Sequence, residues 1–266
     1  MNKFFNLFQP TITEPGLKYF GLSLEYSFPC KILQGVVHSY LQIKAEKSTP
    51  YPVIPDGSQS IFISPQCSMI SGAQLKVRDI QILEPGEYFG IRFYPGALRY
   101  FFNLDLSEIT DQLVDEKYFP SRTFGNLHDT IYRCQHFRER AAVCEKWLSA
   151  HYSSLSTSQF DQALGLIYQS AGNLRINQLS DHVGWSARHL SRIFKLRTGL
   201  NAKTFSQIIR IQNACRQLYK TPGDSLETAL ALGFFDQPHL NKDFKKYLLA
   251  NPRDFFDRFK SDFYNQ

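Results

Sequence analysis

Apolar and polar positions alternate along much of the first hundred residues with the period of two that is typical of β-strands. Residues 20–28 alternate strictly, with large apolar side chains at the even positions, which predicts a half-buried strand. Further strands are predicted at residues 36–43, 60–64, 75–83 and 87–94. Turn sequences such as Pro55-Asp56-Gly57 separate these segments, so this part of the chain predicts a small β-barrel or β-sandwich.

The pattern changes to a helical period after residue 96. Short helices are predicted at residues 97–102 and 106–114, and a longer helix at residues 136–150. The longer helix carries an apolar stripe at helical spacing, which consists of Phe137, Ala141, Cys144 and Leu148. This stripe packs either on the chain's own sheet or on a second copy of the chain, as a homodimer contact over residues 137–148.

A serine-rich segment without periodicity at residues 153–158 predicts a linker. We expect a β-rich regulatory, effector-binding or dimerisation domain over residues 1–152 and a second domain over residues 159–266. Every element predicted in the second domain is a helix, and the helices cover residues 160–170, 176–183, 186–198, 202–219, 226–232 and 236–249. The predicted fold class is therefore α+β, with a barrel or sandwich followed by an all-α domain.

Charge is distributed unevenly between these two parts. The chain of 266 residues carries a formal charge of +6, and the whole excess falls in residues 151–266. Such asymmetry is typical of a neutral domain joined to one that binds nucleic acid or a membrane surface. No apolar run reaches the roughly 18 residues of a membrane span, so we expect no membrane partner.

The cysteines and the chemical motifs argue against an enzyme. The five cysteines are scattered, without the close spacing of a zinc site, so we expect reduced thiols, no metal and no cofactor. The first residues lack the apolar core of a signal peptide, which predicts a cytoplasmic protein. Gly-x-Ser-x-Gly, P-loop and His-Glu-x-x-His motifs do not occur, and we predict no catalytic residue.

Two units of a short helix, a glycine turn and a longer helix stand out in the second domain. Each has a small residue in its first helix, Ser180 or Ala229, which lets the second helix cross closely. Each has a glycine at the turn, where a positive φ is needed. Ser186 and Asp236 are suitable N-caps for the two longer helices. These features predict two helix-turn-helix motifs.

The longer helix of each unit separates into an apolar and a polar face. Leu190, Ile193 and Phe194 are predicted core residues in the first unit, and Leu240 and Phe244 in the second. The opposite faces hold the predicted DNA contacts: Arg188, Ser191, Arg192, Lys195, Gln237, Asn241, Lys242 and Lys245. Such side chains match base edges in the major groove, and the basic ones also release counterions from phosphates. The helix at 202–219, roughly 27 Å long, would hold both faces toward neighbouring grooves about 34 Å apart.

Residues 160–259 resemble the DNA-binding domain of the AraC/XylS family of bacterial transcription regulators. The resemblance rests on Leu179-Ser180, Gly184-Trp185-Ser186, Leu190-Ser191-Arg192-Ile193-Phe194-Lys195, Thr198-Gly199-Leu200, Arg210, Ala229, Gly233-Phe234, Asp236-Gln237, His239-Leu240, Phe244-Lys245, Asn251-Pro252 and Phe255. It implies a regulator that binds double-stranded promoter DNA, with RNA polymerase as a further candidate partner.

The sequence departs from the family pattern at four positions. Ser225 and Thr228 stand where the family usually has apolar residues, and Leu249 stands where it often has glycine. Asp243 adds an acid beside the predicted basic face. We therefore expect looser packing in the second unit and weaker phosphate contacts from its longer helix.

The β-rich part resembles a sensor-type domain found in some members, at residues 51–57 and 92–97. Its candidate effector-binding residues are Arg92, Asp56, His38 and Tyr40. Arg92 is expected either to clamp an anionic effector or to pair with Asp56. His38 and Tyr40, interpreted as neighbours on one strand face, either line the barrel interior or fill the core.

Several functions are compatible with these patterns. A sequence-specific regulator that senses a small molecule agrees with most of them. A regulator controlled only by its abundance or by a protein partner predicts a first domain without an enclosed cavity. A DNA-repair alkyl acceptor requires an activated thiolate, and a sequence-indifferent DNA compactor predicts equal affinity for all duplexes.

Overall fold

The computed structural model describes residues 8–82, 84–115, 127–153, 158–220 and 229–260, with side chains described as far as residue 257. Antiparallel strands dominate the chain up to residue 115, and helices dominate after it. This arrangement confirms the predicted α+β fold class. The strands are β1 (Leu22–Ser27), β2 (Val37–Ala45), β3 (Thr49–Val53), β4 (Gln59–Ile63), β5 (Ser68–Ser71), β6 (Arg78–Ile82), β7 (Gly86–Phe93) and β8 (Leu113–Asp115).

The strands form two sheets. Among the described residues, the larger sheet has six strands in the order β1-β2-β7-β4-β5-β8, and β3 pairs with β6 in a separate ladder. Leu22 and Ile43 on one face of the larger sheet pack with Tyr51 of β3 and Ile82 of β6. The two sheets therefore lie face to face, as the predicted sandwich requires.

The helices are α1 (Glu14–Phe20), α2 (Leu127–Arg133), α3 (Phe137–His151), α4 (Gln159–Gln169), α5 (Ile176–Val183), α6 (Ala187–Thr198), α7 (Ala202–Lys220), α8 (Gln237–Leu248) and α9 (Pro252–Lys260). Short 3-10 turns occur at Pro10–Ile12, Lys31–Leu33, Ala97–Tyr100 and Leu106–Ile109. The predicted helix at residues 106–114 is wrong, because only its first turn is helical and its end is strand β8. The predicted helix at residues 226–232 is helical at residues 229–231, and residues 226–228 lie outside the described residues.

The apolar stripe of α3 packs on the chain's own sheet. Phe137, Ala141, Cys144 and Leu148 are all buried in one cluster with the helix-facing side chains of β2, β4 and β7. The structure therefore decides between the two interpretations of this stripe. A homodimer contact through the stripe is wrong, because the sheet already covers it.

The helical part packs closely against the strand-rich part. Ile54 and Ala73 are buried in the same cluster as the core residues of α4 to α9. Gln212 on α7 donates from Nε2 to the carbonyl of Pro55 at 2.9 Å, and its Oε1 accepts from the backbone N–H of Phe8 at 2.9 Å. Residues 154–157 of the predicted linker lie outside the described residues.

The described residues offer neither a membrane-spanning helix nor a metal-binding cluster. None of its helices combines the length and the apolar character needed to cross a bilayer. Within the same residues, no group of three or more His, Cys, Asp and Glu side chains is placed to hold a metal ion.

Candidate nucleic-acid interface

The first helix-turn-helix unit consists of α5, the turn at Gly184 and α6. Gly184 ends α5 with a φ of 66°, which favours glycine. Ser186 caps α6, because its side chain accepts a hydrogen bond from the backbone N–H of His189 at 3.2 Å. Leu190 and Phe194 of α6 are fully buried. This packing fixes which face of α6 points away from the protein.

The outward face of α6 holds the predicted contacts of the first unit. Arg188, Arg192 and Lys195 are exposed, and Ser191 is half-buried between them. The guanidinium of Arg192 lies 3.4 Å from Nδ1 of His189, one helical turn away. The structure thus brings all four predicted residues of this unit to one solvent-facing side of one helix.

The second unit repeats the arrangement. Ala229 is buried in the preceding helix, and Gly233 adopts a φ of 75° at the turn. Asp236 caps α8 by accepting from the backbone N–H of His239 at 2.8 Å. Leu240 and Phe244 are fully buried, while Gln237, Lys242 and Lys245 are exposed and Asn241 is half-buried. The four predicted residues of α8 therefore also share the outward side.

Asp243 lies elsewhere than the sequence suggests. Its side chain is buried and faces α7, where it accepts a hydrogen bond from Arg210 at 3.0 Å. The guanidinium of Arg210 also lies over the ring of Phe234, 4.5 Å from its centroid. The expectation that Asp243 adds an acid to the basic face is wrong, because this carboxylate is neutralised inside the protein.

A single helix joins the two units. α7 has 19 residues, which corresponds to roughly 28 Å at the usual rise of 1.5 Å per residue. Its buried face packs on both units, through Phe205 beside Phe194 and through the Arg210–Asp243 pair. α7 therefore links α6 to α8 as one packed assembly.

The structure explains the departure from the family pattern at Leu249. Leu249 adopts the left-handed conformation with a φ of 58° at the end of α8, and its side chain is exposed. Glycine adopts this conformation without strain, which explains why the family often has glycine at this position. Ser225 and Thr228 lie outside the described residues.

Arg92 and Asp56 form a buried ion pair in the strand-rich part. The backbone N–H of Ser58 and Nε2 of Gln9 each donate to the Asp56 carboxylate at 2.8 Å. Burial alone would raise the pKa of Asp56, but Arg92 and these hydrogen bonds outweigh it and hold the pKa below its ordinary value. Of the two roles expected for Arg92, the structure shows the pairing with Asp56. The sequence does not identify Gln9 as a partner of Asp56, because a single glutamine outside any motif predicts no particular contact.

A cavity of about 70 Å³ lies between the two sheets and includes this ion pair in its lining. Most other lining side chains are apolar or small hydroxyls, among them Leu41, Ile43, Tyr51, Val53, Ser60, Phe62 and Ser71. The volume corresponds to roughly five water-sized groups. A small polar molecule of a few heavy atoms would fit, whereas a drug-sized ligand of the usual 300 Å³ or more, roughly, would require the cavity to open.

His38 and Tyr40 occupy different surroundings. A register shift between Val37 and Ser39 interrupts the alternation of β2. Tyr40 is buried in the cluster that faces α3, and His38 is half-buried with its ring edge-on to Tyr94 at 5.3 Å. Neither of these two side chains belongs to the described lining of the cavity.

Two of the thiols, those of Cys144 and Cys215, are not activated by their surroundings. Cys144 and Cys215 are fully buried, and burial raises the pKa of each thiol well above its ordinary value. All five cysteines are free. A raised pKa keeps a thiol protonated and therefore poorly nucleophilic.

Comparisons with known proteins match the two parts of the chain separately. Residues 179–258 match the family described as "Helix-turn-helix domain", and residues 26–115 match a "Domain of unknown function (DUF6597)". The HTH-type transcriptional regulator MtrA of Neisseria gonorrhoeae is 35% identical over 77 residues, which are 29% of this chain and 26% of MtrA. The uncharacterized HTH-type transcriptional regulator YbfI of Bacillus subtilis is 34% identical over 70 residues, which are 26% of this chain and 25% of YbfI.

The chain thus aligns with about a quarter of the length of these curated relatives. Among solved structures, ToxT from Vibrio cholerae superimposes with a TM-score of 0.45 and 7% identity, over 89% of this chain and 98% of ToxT. The match at residues 179–258 and the two capped helix-turn-helix units agree with the resemblance found in the sequence, and the chain contains a helix-turn-helix domain.

Proposed function

We propose that this protein is a sequence-specific DNA-binding transcription regulator in which α6 and α8 enter neighbouring major grooves of one duplex. The observation that carries the proposal is the separation of faces on both helices. Leu190 and Phe194 of α6 and Leu240 and Phe244 of α8 are completely buried. The opposite faces present basic side chains to solvent, together with Ser191 on α6 and two amides on α8. The positive net charge of residues 151–266 supports the same partner, because the phosphates of DNA carry negative charge along the whole duplex.

The outward side chains would make different kinds of contact with DNA. Arg188 and Arg192 can each donate two parallel hydrogen bonds to guanine. The side-chain amides of Gln237 and Asn241 can each donate one hydrogen bond to N7 of adenine and accept one from its N6 amino group. Lys195, Lys242 and Lys245 are suited to phosphates, and Ser191 to a base or a phosphate at close range. The first unit would then read one half of an asymmetric site and the second unit the other half.

The test of this proposal is DNA binding by the full chain and its Arg192→Ala variant. We expect the wild type to select a defined sequence from random duplexes, with an affinity that falls steeply as salt rises. Arg192→Ala should cost roughly 1–3 kcal/mol on that sequence and relax the preference at one base pair. Arg138→Ala, which removes an exposed arginine from α3, is the matched control and should leave binding unchanged.

Two outcomes would contradict the proposal or part of it. Equal affinity of the wild type for selected and random duplexes would indicate a sequence-indifferent compactor. An equal loss by Arg192→Ala on every sequence would make Arg192 a phosphate contact only.

We propose further that the division predicted at residues 153–158 separates this DNA-binding part from a sensing part over residues 1–152. The cavity with the Arg92–Asp56 pair supports a small polar effector. The turn that carries Asp56 and the start of β4 also contact the helical part, since the carbonyl of Pro55 accepts from Gln212 and Gln59 donates to the carbonyl of Thr198. A ligand that disturbs the ion pair would thereby alter how α6 and α8 are presented to DNA or to RNA polymerase.

Cavity filling tests the sensing proposal without touching the ion pair. Ser71→Val places two methyl groups against the cavity, where Ser71 is buried. In a thermal-shift screen of small polar metabolites, compounds that stabilise the wild type should lose their effect on Ser71→Val. If the screen finds none, or if Ser71→Val responds like the wild type, the regulator without a ligand is the better account.

The surroundings of Cys144 and Cys215 support a regulator rather than a DNA-repair alkyl acceptor. An alkyl acceptor needs a thiolate, and burial raises the pKa of Cys144 and Cys215. A zinc assay on the purified protein separates the two functions. Stoichiometric zinc bound through thiolates would favour the alkyl acceptor.

A further inference from the structure

Phe235 is the most exposed of the large apolar side chains in the described part of the chain. Its exposed fraction is 85%, compared with 69% for Phe28 and 57% for Leu230. It stands directly before Asp236, the N-cap of α8. A phenyl ring left in water forgoes roughly 1.5–3 kcal/mol of burial free energy. The first possible reason for this exposure is a packing role within the protein itself.

The usual packing role of an apolar residue at this position is already filled. A residue before the N-cap commonly packs on the fourth residue of the helix, which here is Leu240. Leu240 is fully buried although Phe235 points to solvent. The neighbouring Phe234 is buried instead, with its ring edge-on to His239 at 5.3 Å and beneath Arg210. Phe235 is therefore not needed to anchor α8.

The first unit shows what the corresponding residue does there. Trp185 stands directly before Ser186, the N-cap of α6, and is half-buried. Its indole N–H donates to Gln159 at 2.9 Å, and its ring contacts His189 at 4.8 Å. The turn of the second unit has one residue more between its glycine and its N-cap. Phe234 takes the buried place, and the extra length leaves Phe235 projecting at the amino end of α8.

The amino end of a recognition helix is the part that approaches base edges in the major groove. The groove floor carries one apolar group, the 5-methyl of thymine, and phenylalanine is among the side chains that contact it. We infer that Phe235 is a specificity-determining residue that packs on a thymine methyl group in the half-site read by α8. This inference rests on the proposed function, and it adds an apolar contact to the polar side chains of that helix.

The test uses the full chain and the duplex that it selects from a random library. Each thymine in the selected site is replaced in turn by deoxyuridine, which removes only the methyl group. The wild type should lose roughly fourfold in affinity at one position in the half-site of α8, the value expected for one buried methyl group. Phe235→Ala should bind the unmodified site roughly tenfold more weakly and should be indifferent to the same replacement.

Two further variants complete the experiment. Phe235→Leu retains an apolar side chain and should keep the methyl sensitivity. Ile32→Ala removes a side chain that is 56% exposed in the strand-rich part, and it should bind like the wild type on every duplex. Because Phe235 packs on little of the protein, Phe235→Ala should unfold at the wild-type temperature, so weaker binding will report the contact with DNA.

The inference is overturned if Phe235→Ala binds as tightly as the wild type. It is also overturned if both proteins respond equally to deoxyuridine at every position. These results differ from a failure of the proposed function, in which the wild type would select no sequence at all.

Discussion

The guanidinium of Arg210 on α7 lies 3.0 Å from the carboxylate of Asp243 on α8, and both side chains are largely buried. This pair connects the second recognition helix to the helix between the units. Removing one partner leaves the other charge buried without compensation, so we expect Asp243→Ala to lower the free energy of unfolding by about 3 kcal/mol. Urea denaturation of the purified variant measures this loss.

Asp257→Ala is the matched control for the buried pair. Asp257 is 4.0 Å from Arg253 on α9, and both side chains are mostly exposed. Exposed pairs contribute little, so this variant should change stability by less than about 0.5 kcal/mol. Equal losses of unfolding free energy in the two variants would show that the Arg210–Asp243 pair does not stabilise the fold.

Leu249 offers a stabilising substitution. Its backbone is left-handed at the end of α8, and its side chain is exposed, so little packing is lost when it is removed. Leu249→Gly should raise the free energy of unfolding by about 0.5–1 kcal/mol. Leu249→Ala keeps the backbone strain and should not stabilise. A gain in the alanine variant equal to that in the glycine variant would assign the effect to the side chain instead.

Gly57 tests the contact between the strand-rich part and α7. It has a φ of 76°, and a Cβ added there would lie 2.6 Å from the ring of Phe205. Gly35 has a similar φ of 84° with nothing within 4 Å of the corresponding position. Gly35→Ala should therefore cost about 1 kcal/mol for backbone strain, and Gly57→Ala about 1–3 kcal/mol more.

Thermal denaturation of both glycine variants provides the comparison. The difference between them isolates the overlap with Phe205, because the backbone term is nearly the same. Equal losses would mean that the turn at Gly57 can move away from α7 without cost.

His38 predicts a specific dependence of stability on pH. Burial and the nearby Arg92 lower its pKa from 6.5 to about 4, although Asp56 opposes the effect of Arg92. Between these two values the unfolded chain binds a proton that the folded protein does not. Stability should therefore fall as the pH drops from 6.5 to 4, by about 3 kcal/mol from this group.

Denaturation midpoints across this pH range measure the effect. His38→Gln should remove most of the slope between pH 6.5 and pH 4. His182→Gln, which changes an exposed histidine on α5, should keep it. The lowered pKa of Asp56 acts in the same direction at more acidic pH, since its stabilisation is lost as the pH falls through its folded value. A slope in His38→Gln equal to that of the wild type would contradict this assignment.

The helical part was predictable because its local signals agree with its packing. Apolar spacing, N-caps and turn glycines place α5 to α8 within one or two residues of the structure. The faces of α6 and α8 followed from the same spacing. Asp243 lies three residues after Leu240 on the buried side of α8, but an acid there is not recognised as buried without its partner Arg210, which belongs to another helix.

The strand-rich part was less predictable for identifiable reasons. Strand β3 contains Pro50 and Pro52, which normally argue against a strand. They are tolerated here because, within the described residues, β3 pairs with β6 alone. The apolar spacing of residues 106–114 suits a helix, but the chain leaves the helix at Thr110 to pair β8 with β5. Such pairings are between distant segments, and no local pattern encodes them.

The carboxyl end of α6 is held by the strand-rich part through two hydrogen bonds. Thr110 donates to the carbonyl of Gly199 at 2.7 Å, and Gln59 donates to the carbonyl of Thr198 at 3.2 Å. Arg188 projects from the opposite end. Because α6 is fixed at its carboxyl end, a small tilt about Thr198 would move the guanidinium of Arg188 by a larger distance across the groove.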